Sequence, residues 1–314
     1  MTDEFKNYIL KNRKDFIALS TKQERELGKL YLQFAESIKK DADRIVSKAS
    51  WSYAQKQKEI VRLLKEADRL TGGFKSVLDK ALIDSANLGQ EVNGIILDKY
   101  SQRLAGAGFN VDLERVLTSV TDDVVKLIYN RIWEDGLKLS DRIWILNRRT
   151  KREMERIILE EIASGRPASS KVMEARLNKL LNPDRRAITT KLHGRTVQFD
   201  AARLMRTERT TAFREADRMA SMNNPGLIGI QWHTSGDACP ICEDIASGGS
   251  SGLGAGVYTP EELPATPHPQ CQCYTTDKAI SSQQFVNNWI GYMKNPASQP
   301  GLNNWYNEIY KKAA

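Results

Sequence analysis

Through most of the first 220 positions apolar side chains recur at three- and four-residue steps, the spacing of one face of an α-helix. From Thr21 the run TKQERELGKLYLQFAESIKKDADRIV places Leu27, Leu30, Leu32, Phe34, Ile38 and Ile45 on such a stripe. Thr21 with Glu24 three residues on forms a capping-box pattern, which predicts that a helix starts there. Similar patterns predict helices over about 52–70, 76–101 and 112–135, parted by Gly72-Gly73 and by the glycine tripeptide at 106–108. A second helical group begins after Ser140, where SDRIWILNRRT leads into 150–163. That run opens on another capping box, Thr150 with Glu153, and Gly165 and Pro167 are expected to stop it. A short helix at 169–181 precedes Asn182-Pro183. Asp200 is then expected to cap AARLMRTERTTAFREADRMASM, whose Leu204, Met205, Ala212, Phe213, Ala216, Met219 and Ala220 make the next stripe, ending near Asn224-Pro225.

After Pro225 the pattern changes. LIGIQW at 227–232 is a short apolar run rich in β-favouring residues and predicts a buried strand. It is followed by cysteines, a Gly/Ser-rich loop at 247–256 and the proline-punctuated stretch TPEELPATPHPQCQCYTT. Helix-like QQFVNNWIGYM and NNWYNEIYKK close the chain. The predicted fold is mainly α: an N-terminal helical bundle or elongated helical array followed by a small α+β Cys/His domain. The expected organisation is 1–136 N-terminal helical region, 137–222 central helical region, 223–280 Cys/His domain and 281–314 helical tail. No repeat of fixed period occurs, which argues against a solenoid.

Composition narrows the class. Of 314 residues 40% are apolar and 27% charged, with only 30 Gly plus Pro, so neither a collagen-like nor a wholly disordered chain fits. No apolar run approaches the ~20 residues of a membrane span, and mean hydropathy is -0.50. The N-terminal MTDEFKNYILKNRKDF lacks the basic start and apolar stretch of a secretory signal, so residence in a cytosol is expected. The net charge of +8 is uneven: residues 1–218 are net +11 and 219–314 net -3. A basic body suits contact with phosphate or with an acidic protein surface, and it equally describes a charged helical exterior.

All four cysteines fall between Cys239 and Cys273. The polar, proline-broken segment that holds them has too little apolar surface to fold by burial alone. Two short-spaced pairs, CPIC (Cys239, Cys242) and HPQCQC (His268, Cys271, Cys273), supply five donors where a zinc ion takes four. Cys239, Cys242, Cys271 and Cys273 are the first choice of ligands, with His268 replacing one of the last pair as the second. Thiolate softness favours Zn2+ over harder cations, and four protein ligands would make the ion structural. Packed reduced thiols, or a disulfide, are the plain alternative.

Other chemistry is sparse. Glu243, Asp244, Glu261 and Glu262 stand near the cysteines in a polar loop, where carboxylates are usually just solvated. His233 reads as a structural partner, and His193 in LHGR has no readable partner. Gly252, Gly254 and Gly256 precede no capped helix and have no lysine beside them, so they do not read as a phosphate loop. Neither HExxH nor GxSxG occurs. The chain is expected not to be an enzyme.

The order Arg206-Thr207-Glu208 on a helix, Ala212 and Ala216 on its next turns, a strand ending in Trp232, then CPIC, a glycine-rich loop and HPQCQC resembles the C-terminal domain of the phage Mu protein F-like family. The segment LSDRIW at 139–144 is similar to the central part of such proteins. The resemblance spans about 137–276. It implies a minor head protein of a tailed bacteriophage, acting in head morphogenesis at the portal vertex and in genome delivery. The implied partners are the portal protein, other capsid or scaffolding proteins and, non-specifically, packaged DNA, with no membrane. It also implies a place inside the virion head after assembly in the host cytoplasm. On that reading Arg206 and Glu208 buttress the Cys/His domain, whereas the sequence alone would make them a solvent-facing charged strip. A zinc-containing, nuclease-like enzyme is the alternative of a different class. It would want a histidine beside a carboxylate, and His268 stands between Pro267 and Pro269.

Overall fold

The computed structural model describes residues 3–164, 171–181, 197–236 and 238–313. The helices are α1 (Asp3–Ser47), α2 (Tyr53–Leu64), α3 (Glu66–Gly106), α4 (Val120–Asn130), α5 (Leu139–Ala163), α6 (Lys171–Leu181), α7 (Val197–Met222), α8 (Pro240–Ser247), α9 (Ser282–Lys294) and α10 (Pro300–Trp305). The strands β1 (Leu227–His233), β2 (Val257–Tyr258) and β3 (Tyr274–Ala279) form one antiparallel sheet in the order β2-β1-β3. The protein is thus mainly helical, with a small sheet and a Cys/His cluster near its C-terminal end. No helix among the described residues is long and apolar enough to cross a membrane.

Several helices run through the starts and stops expected of them, because the residues concerned serve tertiary contacts instead. Thr21 lies inside α1, and Glu24 pairs with Arg206 through contacts of 2.9 and 2.9 Å. Thr150 lies inside α5, where its hydroxyl donates to the Leu146 carbonyl at 2.8 Å. Gly72-Gly73 does not break α3, whose start follows Lys65. A Cβ on Gly73 would come 2.8 Å from Leu30, so glycine there admits a close neighbour. Asp200 sits in the first turn of α7 and pairs with Arg149 rather than capping the helix. On α1 Leu32 faces solvent, and Tyr31 is buried in its place. The segment expected as one helix over 112–135 is a 3-10 turn (Glu114–Leu117) followed by the shorter α4. The stops assigned to Gly165, Pro167 and Asn182-Pro183, and the stretch around His193, lie outside the described residues.

The chain divides into two compact units, each assembled from separated stretches: Met1–Leu19, Leu82–Ile128 and Thr207–Ala314 in one, Ser20–Ala81 and Tyr129–Arg206 in the other. The divisions fall inside α1, α3, α4 and α7, so neither unit is one continuous stretch of the chain. Among the described residues the regular elements of the second unit are helices, with Leu27, Tyr31, Ile38, Phe74, Leu78, Met154, Ile158 and Leu177 fully buried. Lys39–Glu174 and Arg206–Glu24 are among its ion pairs.

The first unit contains the sheet and the cysteines. In β1, Ile230 pairs with Tyr258 of β2 and with Asp277 of β3, and Trp232 pairs with Thr275. Tyr100 of α3 stacks on Phe285 of α9 at 4.1 Å and donates to the Ile280 carbonyl at 2.7 Å. Gly89 of α3 meets α7 closely, since a Cβ there would lie 2.2 Å from the Phe213 carbonyl oxygen. Helix α7 is buried almost all round between Thr207 and Asp217, polar residues included. The solvent-facing strip that sequence alone suggested for Arg206 and Glu208 is not formed: Glu208 is fully buried, and Arg206 is half-buried in its pair with Glu24.

Candidate metal centre

The two cysteine pairs come together because each sits in a tight local structure. Cys239 is the N-cap of α8, Pro240 occupies the first turn, and the Glu243 N–H donates to the Cys239 carbonyl at 3.1 Å. Cys242 then lies on the same turn of the helix, so both sulfurs stand at its N-terminal end. On the other side the Cys271 N–H donates to the His268 carbonyl at 3.3 Å, closing a turn through Gln270, which has a φ of 64°. That left-handed backbone is costly for a non-glycine residue and needs outside support. Support comes from Thr207, whose hydroxyl accepts the Gln270 N–H at 3.0 Å.

The structure brings all five candidate donors into one cluster. His268 Nε2 lies 3.2 Å from Cys239 Sγ and 3.2 Å from Cys242 Sγ, and Cys242 Sγ lies 3.7 Å from Cys271 Sγ. Two overlapping triads result, Cys239-Cys242-His268 and Cys242-Cys271-Cys273, each with donor atoms mutually within 4.8 Å; such a group can hold a metal ion. Cys242 belongs to both. His268 Nδ1 faces the Pro269 carbonyl at 3.0 Å, so a proton on Nδ1 leaves Nε2 with its lone pair toward the sulfurs. Burial pushes the Cys242 and Cys271 thiols up; the neighbouring sulfurs add to the rise at Cys242, whereas the Arg214 guanidinium opposes it at Cys271. A cation among them reverses that balance, because a coordinating thiol is deprotonated outright.

A face of α7 clasps this cluster. Thr207, Thr211 and Arg214 follow one another at helical spacing. Thr211 Oγ1 is 2.7 Å from Thr266 Oγ1, and Arg214 Nη2 donates to Thr266 Oγ1 at 3.0 Å. Arg214 Nη1 donates to Cys271 Sγ at 3.7 Å, and its guanidinium lies 5.0 Å from the Trp232 ring centre. Trp232, Cys242, Tyr258, Cys271 and Cys273 together form the buried core beneath. Of the predicted motif residues, Thr207 and Trp232 belong to the site, Glu208 is buried within α7, and Arg206 belongs to the other unit, where it pairs with Glu24. Arg214 was not singled out by the sequence; only its position one helical face on from Thr207 could have pointed to it.

The Gly/Ser loop between the cysteine pairs is a folded turn. Gly249, Gly252, Gly254 and Gly256 all have positive φ, and a Cβ on Gly256 would meet the Ala246 carbonyl oxygen at 2.7 Å. The carboxylates Glu243, Asp244, Glu261 and Glu262 are exposed. His233 stacks on Tyr274 at 4.8 Å with its Nε2 2.8 Å from Thr276 Oγ1, and burial lowers its pKa, which suits a structural partner.

Another polar group went unnoticed in the sequence because its members lie far apart along the chain. Asp217 of α7 and Asp277 of β3 are buried against one another and hydrogen-bonded. Thr275 donates to Asp217, and Asn93 of α3 donates to Asp277 Oδ2 at 2.7 Å. Ser221 Oγ lies 2.7 Å from the Asp217 carbonyl and 2.5 Å from Asp277 Oδ1. Ser221 and Asn93 both donate to Asp277, and two buried carboxyls in contact disfavour joint ionisation, so the pair shares a proton. Burial raises the pKa of both, Asp277 to about 6.

Comparison of the chain with protein-family models, with curated proteins and with solved structures finds no match to any of them.

Proposed function

We propose that this chain is a non-enzymatic minor head protein of a tailed bacteriophage, associated with the portal vertex during head morphogenesis and genome delivery, and stapled near its C-terminal end by a structural zinc ion. The observation that supports the reading is the convergence of CPIC and HPQCQC on one cluster behind the Thr207 face of α7. That is the order and grouping of residues on which the family resemblance rests. The donor set argues for zinc, since soft thiolates with one imidazole suit it. Four protein donors fill a tetrahedral site and leave no position for a reactive water, so the ion holds structure and does no chemistry. The basic excess over residues 1–218 suits a place beside the portal and packaged DNA, reached by assembly in the host cytoplasm.

The direct test is co-expression with the portal protein of a tailed bacteriophage whose genome encodes this chain. Co-purification through size exclusion at moderate salt is expected. Failure to associate, together with Mg2+-dependent cleavage of plasmid DNA that His268→Ala abolishes, would overturn the reading in favour of a nuclease. Metal analysis of protein purified without added metal checks the staple: about one zinc per chain is expected, and less than a tenth of that in folded protein would remove it.

A further inference from the structure

A zinc ion held by three thiolates and one imidazole carries a net charge of -1, and one held by four thiolates carries -2. Placing that charge in a core beneath Trp232 and Tyr258 is unfavourable unless a counter-charge lies close. The structure supplies one in Arg214. Its side chain is 4% exposed, and no carboxylate among the described residues lies within ion-pair distance of it. A buried guanidinium without a carboxylate is itself unfavourable, and the sulfur of Cys271 is the anionic partner within reach. Three contacts fix its direction: the helix that carries it, the Thr266 hydroxyl and the Trp232 ring.

The two cysteines of CQC differ in their direct contacts, though the Arg214 charge is also felt at Cys273. Cys271 Sγ receives an Arg214 N–H and lies 3.7 Å from Cys242 Sγ, close to the ~3.8 Å edge of a tetrahedron with 2.3 Å zinc–sulfur bonds. Cys273 Sγ faces the neutral hydroxyl of Ser235 at 3.9 Å. We propose that Arg214 is a positioning residue of the metal centre: its buried guanidinium, aimed by Thr266, hydrogen-bonds the Cys271 sulfur and sets it as the ligand that completes the set with Cys239, Cys242 and His268. This rests on the zinc reading and adds a residue to it that contacts no metal. Outer-shell partners of this kind typically change metal affinity by about 10–100-fold.

The test uses the full chain and zinc itself. Zinc affinity is measured by competition with a chromophoric chelator for the unchanged protein and for Arg214→Lys and Arg214→Gln, and cobalt is then substituted to record the thiolate-to-metal charge-transfer band. Arg214→Gln is expected to lose about 10–100-fold in zinc affinity and to move the cobalt band to lower energy, because the sulfur loses its neighbouring positive charge. Arg214→Lys, which keeps the charge, is expected to recover most of both. Equal losses in the two variants with an unmoved band would mean a purely structural arginine and overturn the proposal. Absence of zinc and cobalt binding in the unchanged protein would instead remove the zinc reading, a separable failure. Should Arg214→Gln not fold, Thr266→Val removes only the hydroxyl that aims the guanidinium. A weaker loss in the same direction is expected of it, and unchanged affinity and band would count against the proposal.

Discussion

Replacing Asp277 with Asn should make the first unit less sensitive to alkaline pH. In the folded chain Asp277 Oδ1 accepts from Ser221 and Oδ2 accepts from Asn93. An asparagine removes the charge and still satisfies both neighbours: its oxygen accepts from Asn93, and its amide meets the Ser221 oxygen while the Ser221 hydroxyl donates to the Asp217 carbonyl. Folding raises the carboxyl pKa from about 4 to about 6. Between those values the folded state binds protons that the unfolded state has released, so this contribution is fully present at low pH and is lost as pH rises through about 6. Each retained proton costs about 1.4 kcal/mol per pH unit, which makes Asp277 alone responsible for a loss of about 1–2 kcal/mol between pH 5 and pH 8. Asp217 is raised as well, by burial first and by Asp277 second, so removing the Asp277 charge eases it in the same direction. Across the small cavity beside the pair, Arg13 and Tyr274 are the other titratable groups, and burial lowers the Arg13 pKa. Urea unfolding of both proteins at pH 5, 6, 7 and 8, followed by tryptophan fluorescence with zinc held constant, is the assay. The fall in stability from pH 5 to pH 8 should be smaller in Asp277→Asn by about 1–2 kcal/mol. A variant that is weakened equally at every pH would show that Asp277 takes up no proton on folding and would refute the reasoning.

Cys242→Ser should lower zinc content more than Cys239→Ser at the same free zinc, because Cys242 belongs to both triads; equal effects measured by metal analysis would contradict this. A strong chelator should make the 239–273 segment the first site of limited proteolysis while peptides from α5 stay protected, as read by mass spectrometry. Two glycines of α3 should respond with opposite signs in denaturant melts. Gly89→Ala forces a Cβ onto the Phe213 carbonyl and should cost about 1–3 kcal/mol. Gly72→Ala meets open space and should gain about 0.5–1 kcal/mol from helix propensity.

The parts of this fold that were legible along the chain depend on neighbours in sequence. Helical stripes, the strand ending near Trp232 and the pairing of CPIC with HPQCQC are set by local periodicity and by side chains only a few bonds apart. The helix boundaries were less legible, because the signals for them have more than one use. Glu24 reads as half of a capping box until Arg206 claims it, and Gly73 reads as a break until Leu30 is seen against it. Strand β3 and helix α8 escaped notice for a related reason: one is polar and the other short, so neither carries a periodic apolar signal.

By itself the sequence determined that this chain is mainly helical, carries its charge unevenly and holds five soft or borderline metal donors within one proline-broken segment. Tertiary structure alone decided which polar residues go inside. It buried Thr207, Arg214, Asp217 and Asp277 by bringing α7 against β3 and the cysteine loop, contacts that span some 50 to 60 residues. The cost of burying a charge or a hydroxyl is settled only by the partner it finds, and a partner that distant leaves no periodic trace in the chain.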